Sequence, residues 1–185
     1  MKHLLGALLL TLTLIACGDR TKKEASKVEK QSEFAEVNTI TKDSLKFPVY
    51  DFSEFEHLLS LEDGKTYVIN FWATWCKPCL EEMPYFEQVY AEQKKNGLEV
   101  ILVSLDMPSM WKSRLEPYVE KKELKSKVVI LDDPKQNEWI PKIDPDWDGA
   151  IPATVIYNTN DRKFYGHGFT YDELNEAVNG FLNMN

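Results

Sequence analysis

Apolar runs bounded by turn residues alternate with helical patterns over most of the chain. The apolar runs predict four buried strands, at residues 66–72, 98–105, 128–131 and 153–157. A fifth strand is predicted at residues 163–168, beyond the polar turn 158–161. Strands that alternate with helices predict an α/β sheet covered on both faces.

Four helices are predicted around these strands. The first begins at the capping pattern of residues 53–56, and the last begins at a second such pattern, residues 170–173. The longest follows residue 79, ends at Gly97 and contains Pro84, which is expected to kink it. Another helix is predicted at residues 108–124, with a break at Pro117, and the stretch 132–152 is expected to be a long loop.

The chain begins with a leader-like segment. Lys2 precedes an apolar run, residues 4–16, which is shorter than the roughly 20 residues that a membrane-spanning helix needs. The run therefore predicts a secretory signal at residues 1–16. Its end, residues 14–17, resembles the lipobox of bacterial lipoproteins, which implies cleavage before Cys17 and lipidation of Cys17. The alternative is an ordinary signal peptide in which that cysteine is incidental.

Polar composition separates this leader from the domain. Residues 17–44 carry mixed charges and no sustained apolar stripe, so we expect a flexible tether between the lipid and a domain at 45–185. The expected location is the bacterial cell envelope, anchored by lipid and facing the periplasm or in the outer membrane. The formal net charge of −8 over 185 residues argues against nucleic acid as a partner.

Two cysteines stand where a buried strand meets a helix. Cys76 and Cys79 are separated by Lys77 and Pro78, and this Cys-x-x-Cys spacing is typical of thiol–disulfide oxidoreductases. The N–H groups at a helix start favour a thiolate, which is the form that attacks disulfides. A structural disulfide and half of a zinc site are the alternatives. Zinc normally needs four ligands, and Cys17 is the only other cysteine, so no metal or other cofactor is expected.

Residues 71–79, Phe-Trp-Ala-Thr-Trp-Cys-Lys-Pro-Cys, carry a resemblance to a known family. They are similar to the active-site stretch of exported, membrane-anchored thioredoxin-like proteins of the TlpA/ResA type. Glu82 and Pro84 match the Glu-x-Pro of that group, and residues 151–154 match its cis-proline segment. The resemblance implies a thioredoxin fold: a mixed central sheet with helices on both faces and a strand–helix insertion between residues 98 and 131.

The resemblance also implies roles for particular residues. Cys76 is expected to be the nucleophile, and Cys79 is expected to resolve the mixed disulfide. Pro78 presets the backbone at the helix start, where its missing N–H costs nothing. Pro152 is expected to follow a cis peptide bond, so that the backbone of Ile151 pairs with an extended substrate peptide.

Three further positions complete the expected site. Trp75 is expected to form part of the surface on which a substrate docks, whereas Trp72 fits the core equally well. Glu82 is expected to accept a proton when Cys79 attacks, the alternative being a solvated carboxylate such as that expected of Glu81. Cytoplasmic-type thioredoxins carry a buried aspartate where this chain has Asn70, and asparagine cannot accept that proton.

These observations favour a membrane-anchored oxidoreductase that mainly reduces disulfides in exported proteins. The expected partners are those proteins and a membrane thiol protein that supplies electrons; cysteines of apocytochrome c are one substrate class that the resemblance suggests. A disulfide oxidase or isomerase is the alternative within redox chemistry. A non-catalytic peptide-binding module is the alternative outside redox chemistry. Such modules often lack the residues equivalent to Cys76, Cys79 and Pro152.

Overall fold

A computed structural model describes residues 44–184 of the chain. The predicted leader, the proposed lipid site at Cys17 and all but the last residue of the tether lie outside these residues. Within the described part, no helix has the length and the apolar character that crossing a bilayer requires.

A six-stranded mixed sheet organises the described residues, and it confirms the predicted α/β class. Its strands are β1 (Val49–Tyr50), β2 (Thr66–Trp72), β3 (Leu98–Ser104), β4 (Lys127–Leu131), β5 (Ala153–Tyr157) and β6 (Arg162–Tyr165). They lie side by side in the order β1-β4-β3-β2-β5-β6. The first four are mutually parallel, whereas β5 is antiparallel to both of its neighbours. All seven residues of β2 are buried, as expected for a central strand with both faces covered.

The helices lie in two layers. They are α1 (Phe52–Phe55), α2 (Lys77–Gln93), α3 (Pro108–Met110), α4 (Glu116–Lys122), α5 (Gln136–Ile143) and α6 (Tyr171–Leu182). The side chains of Ile69 and Phe71 join a core cluster with the aromatic residues of α1 and α5. The alternate residue Asn70 points to the opposite face, where it meets α2. The period of two along β2 thus divides the core between the two layers.

The first predicted helix begins two residues earlier than expected. Asp51 is the N-cap of α1: its carboxylate accepts the N–H of Glu54, and the carboxylate of Glu54 accepts the N–H of Asp51. Ser53, the predicted cap, donates its hydroxyl to Asp51 instead. The prediction was wrong because both positions carry a capping residue with glutamate three residues later. The second capping box, Thr170 with Glu173, is confirmed.

Three other features differ from the sequence prediction. The short edge strand β1 was not predicted, and the expected loop 132–152 contains α5, which buries Trp139 and Ile143. The helix expected at 108–124, with a break at Pro117, is instead interrupted before that proline by a π-helical turn, Trp111–Leu115. Pro117 lies two residues after the end of this wide turn, in the first turn of α4, and its missing N–H removes a bond that a normal helical turn would make there.

The capping correction yields a stability prediction. Replacing Asp51 with alanine should lower the free energy of unfolding by about 1 kcal/mol, because two backbone N–H groups lose their capping arrangement. The matched change Ser53→Ala should have a much smaller effect, since this hydroxyl caps no backbone group. Urea unfolding of both variants measures the difference. A larger loss for Ser53→Ala than for Asp51→Ala would contradict the assignment.

Candidate active site

The two central cysteines form a disulfide at the start of α2. The bond joins Cys76 Sγ to Cys79 Sγ, and the Cα atoms are 5.3 Å apart. Cys76 is the N-cap of the helix, and its sulfur accepts the N–H of Cys79 at 3.3 Å. Cys79 is fully buried, whereas Cys76 keeps 5% of its surface exposed. An incoming thiol or disulfide can therefore reach Cys76 more readily than Cys79.

The segment that precedes β5 lies against the sulfur of Cys76. The Ile151–Pro152 peptide bond is cis, as the sequence predicts. The carbonyl oxygen of Ile151 is 3.7 Å from Cys76 Sγ. In the oxidised protein the sulfur carries no proton, so this approach is a contact rather than a hydrogen bond. Ile151 is partly exposed, and Pro152 is buried.

A buried carboxylate stands one helical turn after Cys79. Glu82 is only 2% exposed. Its Oε1 accepts the side-chain N–H of Asn70 at 3.1 Å, and its Oε2 accepts the backbone N–H of Phe169 at 2.7 Å. Glu81 next to it is exposed and forms an ion pair with Lys77 at the surface. The prediction that these neighbouring glutamates lie in different environments is confirmed.

Burial changes the acidity of Glu82. Removal from water raises the pKa of this carboxyl from 4.5 to about 7. The hydrogen bonds from Phe169 and Asn70 and the charge of His167 act in the opposite direction, and they offset only part of the desolvation. Near neutral pH the group can therefore both accept and release a proton, which a carboxylate in water cannot do.

The amide of Asn70 orients this carboxylate, and Gly168 leaves space for it. Asn70 donates its second N–H to Thr154 Oγ1 at 3.1 Å, which fixes the amide orientation between β2 and β5. Gly168 passes close by: a Cβ atom at that position would lie 3.3 Å from both Glu82 Oε2 and Pro152 Cγ. A side chain there would crowd the carboxylate and the cis-proline together.

The remaining predicted site residues lie around the disulfide. Trp75 is 51% exposed, beside Cys76, whereas Trp72 is fully buried in the core and packs on Tyr118. Pro78 lies in the first turn of α2, where N–H groups have no helical partner. No group of three or more potential metal-binding side chains occurs within residues 44–184.

Sequence reasoning missed one residue at this edge of the sheet. Asp106, two residues beyond β3, is buried and accepts hydrogen bonds from the backbone and hydroxyl of Thr74. An aspartate just past the carboxyl end of a predicted buried strand is the sequence signal that could have identified it. Such a position adjoins the loop that follows the neighbouring strand, here the loop that leads to Cys76.

Comparison with known protein families gives a match over most of this region. The model of the AhpC/TSA family matches residues 43–161, which is well over half of the chain. The chain belongs to the AhpC/TSA family. The match includes both cysteines, Glu82 and the cis-proline segment.

Several proteins similar to this chain are named as thiol-disulfide oxidoreductases. The chain is 40% identical to the thiol-disulfide oxidoreductase ResA of Geobacillus kaustophilus over 114 residues, which are 62% of this chain and 60% of that protein. It is 38% identical to the ResA of Geobacillus thermodenitrificans over 114 residues, with the same shares. The matched part thus spans three fifths of the length of these relatives.

Solved structures identify the fold of this AhpC/TSA member. A thioredoxin-related protein from Neisseria meningitidis superposes with a TM-score of 0.57 at 22% identity, over 69% of this chain and 91% of that one. A thioredoxin family protein from Chlorobium tepidum gives 0.54 at 22% identity, over 64% and 81%. The chain has a thioredoxin-like fold, as the resemblance implies.

The raised pKa of Glu82 predicts how stability depends on pH. Between its pKa in the unfolded chain, near 4.5, and its folded value, about 7, the unfolded state ionises while the folded state stays protonated. The contribution of Glu82 to the free energy of unfolding is therefore fully present below the unfolded pKa. It is lost as pH rises to the folded pKa of about 7. The loss should amount to about 3 kcal/mol, and Glu82→Gln should abolish it.

Urea unfolding of the oxidised protein from about pH 4 to about pH 8 measures this loss as the difference between wild type and variant. The matched control is Glu81→Gln, which changes an exposed glutamate on the same helix and should keep the wild-type slope. Equal slopes in all three proteins would show that Glu82 titrates like a solvated carboxylate.

Proposed function

We propose that this chain is a thiol–disulfide oxidoreductase that acts mainly as a reductase of disulfides in exported proteins. The observation that carries the proposal is the Cys76–Cys79 disulfide at the start of α2, beside a cis-proline segment and one turn before a buried glutamate. The names of the ResA relatives agree with this activity. An exported substrate fits the predicted leader.

The reaction begins from the reduced protein, with Cys76 as a thiolate. Its sulfur attacks one sulfur of a substrate disulfide, so that a mixed disulfide forms and the first substrate sulfur leaves as a thiolate that takes a proton. Cys79 then attacks Cys76 Sγ, and the second substrate sulfur leaves. The substrate gains two electrons, and the protein ends with the disulfide seen here. A thiol protein of the membrane would restore the reduced form.

Glu82 is proposed to accept the proton of Cys79 in the second step. Cys79 is fully buried, so its thiolate is costly unless the proton has a nearby acceptor. Glu82 follows it by one turn of α2 and titrates near neutral pH. Asn70 holds the carboxylate by donating to it, and its amide cannot take the proton in its place.

The substrate would bind across Cys76, the less deeply buried of the two cysteines. The partly exposed backbone at Ile151 is proposed to pair with an extended peptide, as edge pairing of this kind is common in peptide recognition. Trp75, which precedes Cys76 in the chain, offers an exposed indole. These surfaces and both cysteines are intact, which counts against a purely non-catalytic peptide-binding module.

The proposed roles of Cys76 and Cys79 predict different defects in their serine variants. Cys76→Ser should abolish reduction of insulin disulfides driven by dithiothreitol, because the attacking sulfur is gone. Cys79→Ser should instead accumulate mixed disulfides with its substrate, since attack survives and resolution does not. Cys17→Ser is the matched control for a cysteine outside the pair and should keep wild-type activity. Full activity of Cys76→Ser would exclude it as the nucleophile.

Equilibration with glutathione buffers tests the direction of the reaction. A reductase should have a potential near that of thioredoxin, about −270 mV, and an oxidase one near that of DsbA, about −120 mV. A value at the oxidising end would replace the reductase proposal by the oxidase alternative.

Anchoring by lipid at Cys17 is proposed from the leader and lipobox-like sequence. In a bacterial host, the full chain should fractionate with membranes and incorporate a labelled fatty acid, and Cys17→Ala should lose the label. Cys76→Ala, which removes a different cysteine, should retain it. Label that persists in Cys17→Ala would contradict the lipoprotein assignment.

A further inference from the structure

A buried carboxylate outside the redox pair holds the loop that leads to Cys76. Asp106 is 3% exposed and lies beyond β3, the parallel neighbour of β2. Its carboxylate accepts the N–H of Thr74 at 3.0 and 3.2 Å and the hydroxyl of Thr74 at 2.6 Å. The hydroxyl of Ser104 donates to it at 2.9 Å. A buried carboxylate needs such donors, so this group binds Thr74 firmly.

Asp106 is itself fixed by the surrounding backbone and by one indole. Its N–H donates to Ser104 Oγ at 3.1 Å, and its carbonyl oxygen accepts the indole N–H of Trp111 at 2.7 Å. Trp111 is buried at the start of the π-helical turn. One residue before Asp106, the N–H of Leu105 donates to the carbonyl oxygen of Trp72, which extends the pairing of β3 with β2 to the edge of the loop.

A short turn connects Thr74 to Cys76. Thr74 lies inside a turn that the N–H of Cys76 closes on the carbonyl oxygen of Ala73 at 3.1 Å. The turn places Cys76 as N-cap of α2, where its sulfur accepts the N–H of Cys79. Donors at this position stabilise a thiolate, so the position of the loop affects how easily Cys76 loses its proton.

We propose that Asp106 is a positioning residue for the redox pair. By holding Thr74 it keeps the sulfur of Cys76 at the amino terminus of α2 and thereby keeps the thiol acidic and reactive. Asp106 acts through Thr74. The inference rests on the proposed role of Cys76 as the attacking thiol.

Two substitutions at Asp106 separate position from charge. In Asp106→Ala the loop is released, so the pKa of the Cys76 thiol should rise by about one unit and its reaction with disulfides at neutral pH should slow about ten-fold. Loss of a negative charge alone would lower that pKa. Asp106→Asn retains an oxygen acceptor for the N–H of Thr74 and should stay within about two-fold of wild type.

The measurement is the pH dependence of iodoacetamide reaction at Cys76 in the reduced protein, followed by mass spectrometry, together with kcat/KM for insulin reduction. The matched control is Asp133→Ala. Asp133 also lies beyond a parallel strand, and it accepts the N–H groups of Phe52 and Lys135. Its loss should lower stability and leave the thiol profile unchanged, because neither Phe52 in α1 nor Lys135 after β4 belongs to the loop that leads to Cys76.

A second pair of variants tests the same inference if Asp106→Ala does not fold. Thr74→Val removes the hydroxyl that donates to Asp106 and should raise the thiol pKa, whereas Thr74→Ser should restore it. Wild-type pH profiles in folded Asp106→Ala, or in Thr74→Val, would overturn the inference. So would an Asp106→Asn variant as slow as Asp106→Ala. If Cys76 of the wild type reacts no faster than Cys79, the proposed nucleophile fails as well.

Discussion

The pairing of β2 with its two neighbours determines where each part of the site lies. Because β3 is parallel to β2, their carboxyl ends meet at one edge, which brings Asp106 to the loop before Cys76. Because β5 is antiparallel, its first residue lies at the same edge: Ala153 is paired with Phe71, and Pro152 precedes it. A slip of one residue in β2 would turn its site-facing side chains to the other face of the sheet and dismantle this arrangement.

Burial then gives two adjacent glutamates different chemistry. Glu81 and Glu82 occupy consecutive positions of α2, which differ by about 100° around the helix. The first points to water and pairs with Lys77, whereas the second points to the sheet and meets Asn70. Desolvation raises the pKa of the second to about 7. The same rotation that makes a helix amphipathic therefore also decides which of the two carboxyl groups is buried.

Local patterns in the sequence were sufficient for the centre of the site and insufficient for its supports. The strand, the turn and the spacing of Cys76, Cys79 and Glu82 all lie within one continuous stretch, so the sequence predicts their meeting. The contact of Asp106 with this stretch depends on the pairing of β2 with β3, which no local pattern shows. The helix α5 was missed for a related reason: it has only eight residues with a proline among them, and packing rather than propensity stabilises it.

An asparagine at position 70 is compatible with the buried carboxylate of Glu82, to which it donates a hydrogen bond. The amide nitrogen of Asn70 is 3.1 Å from Glu82 Oε1, so an aspartate there would bring two carboxylates together in a buried site. Two acids at that distance cannot both ionise, and they would share one proton over a wide range of pH. An amide donates to the carboxylate and does not titrate. The departure from the cytoplasmic type of thioredoxin at residue 70 thus leaves Glu82 as the one carboxyl group of this hydrogen-bonded pair.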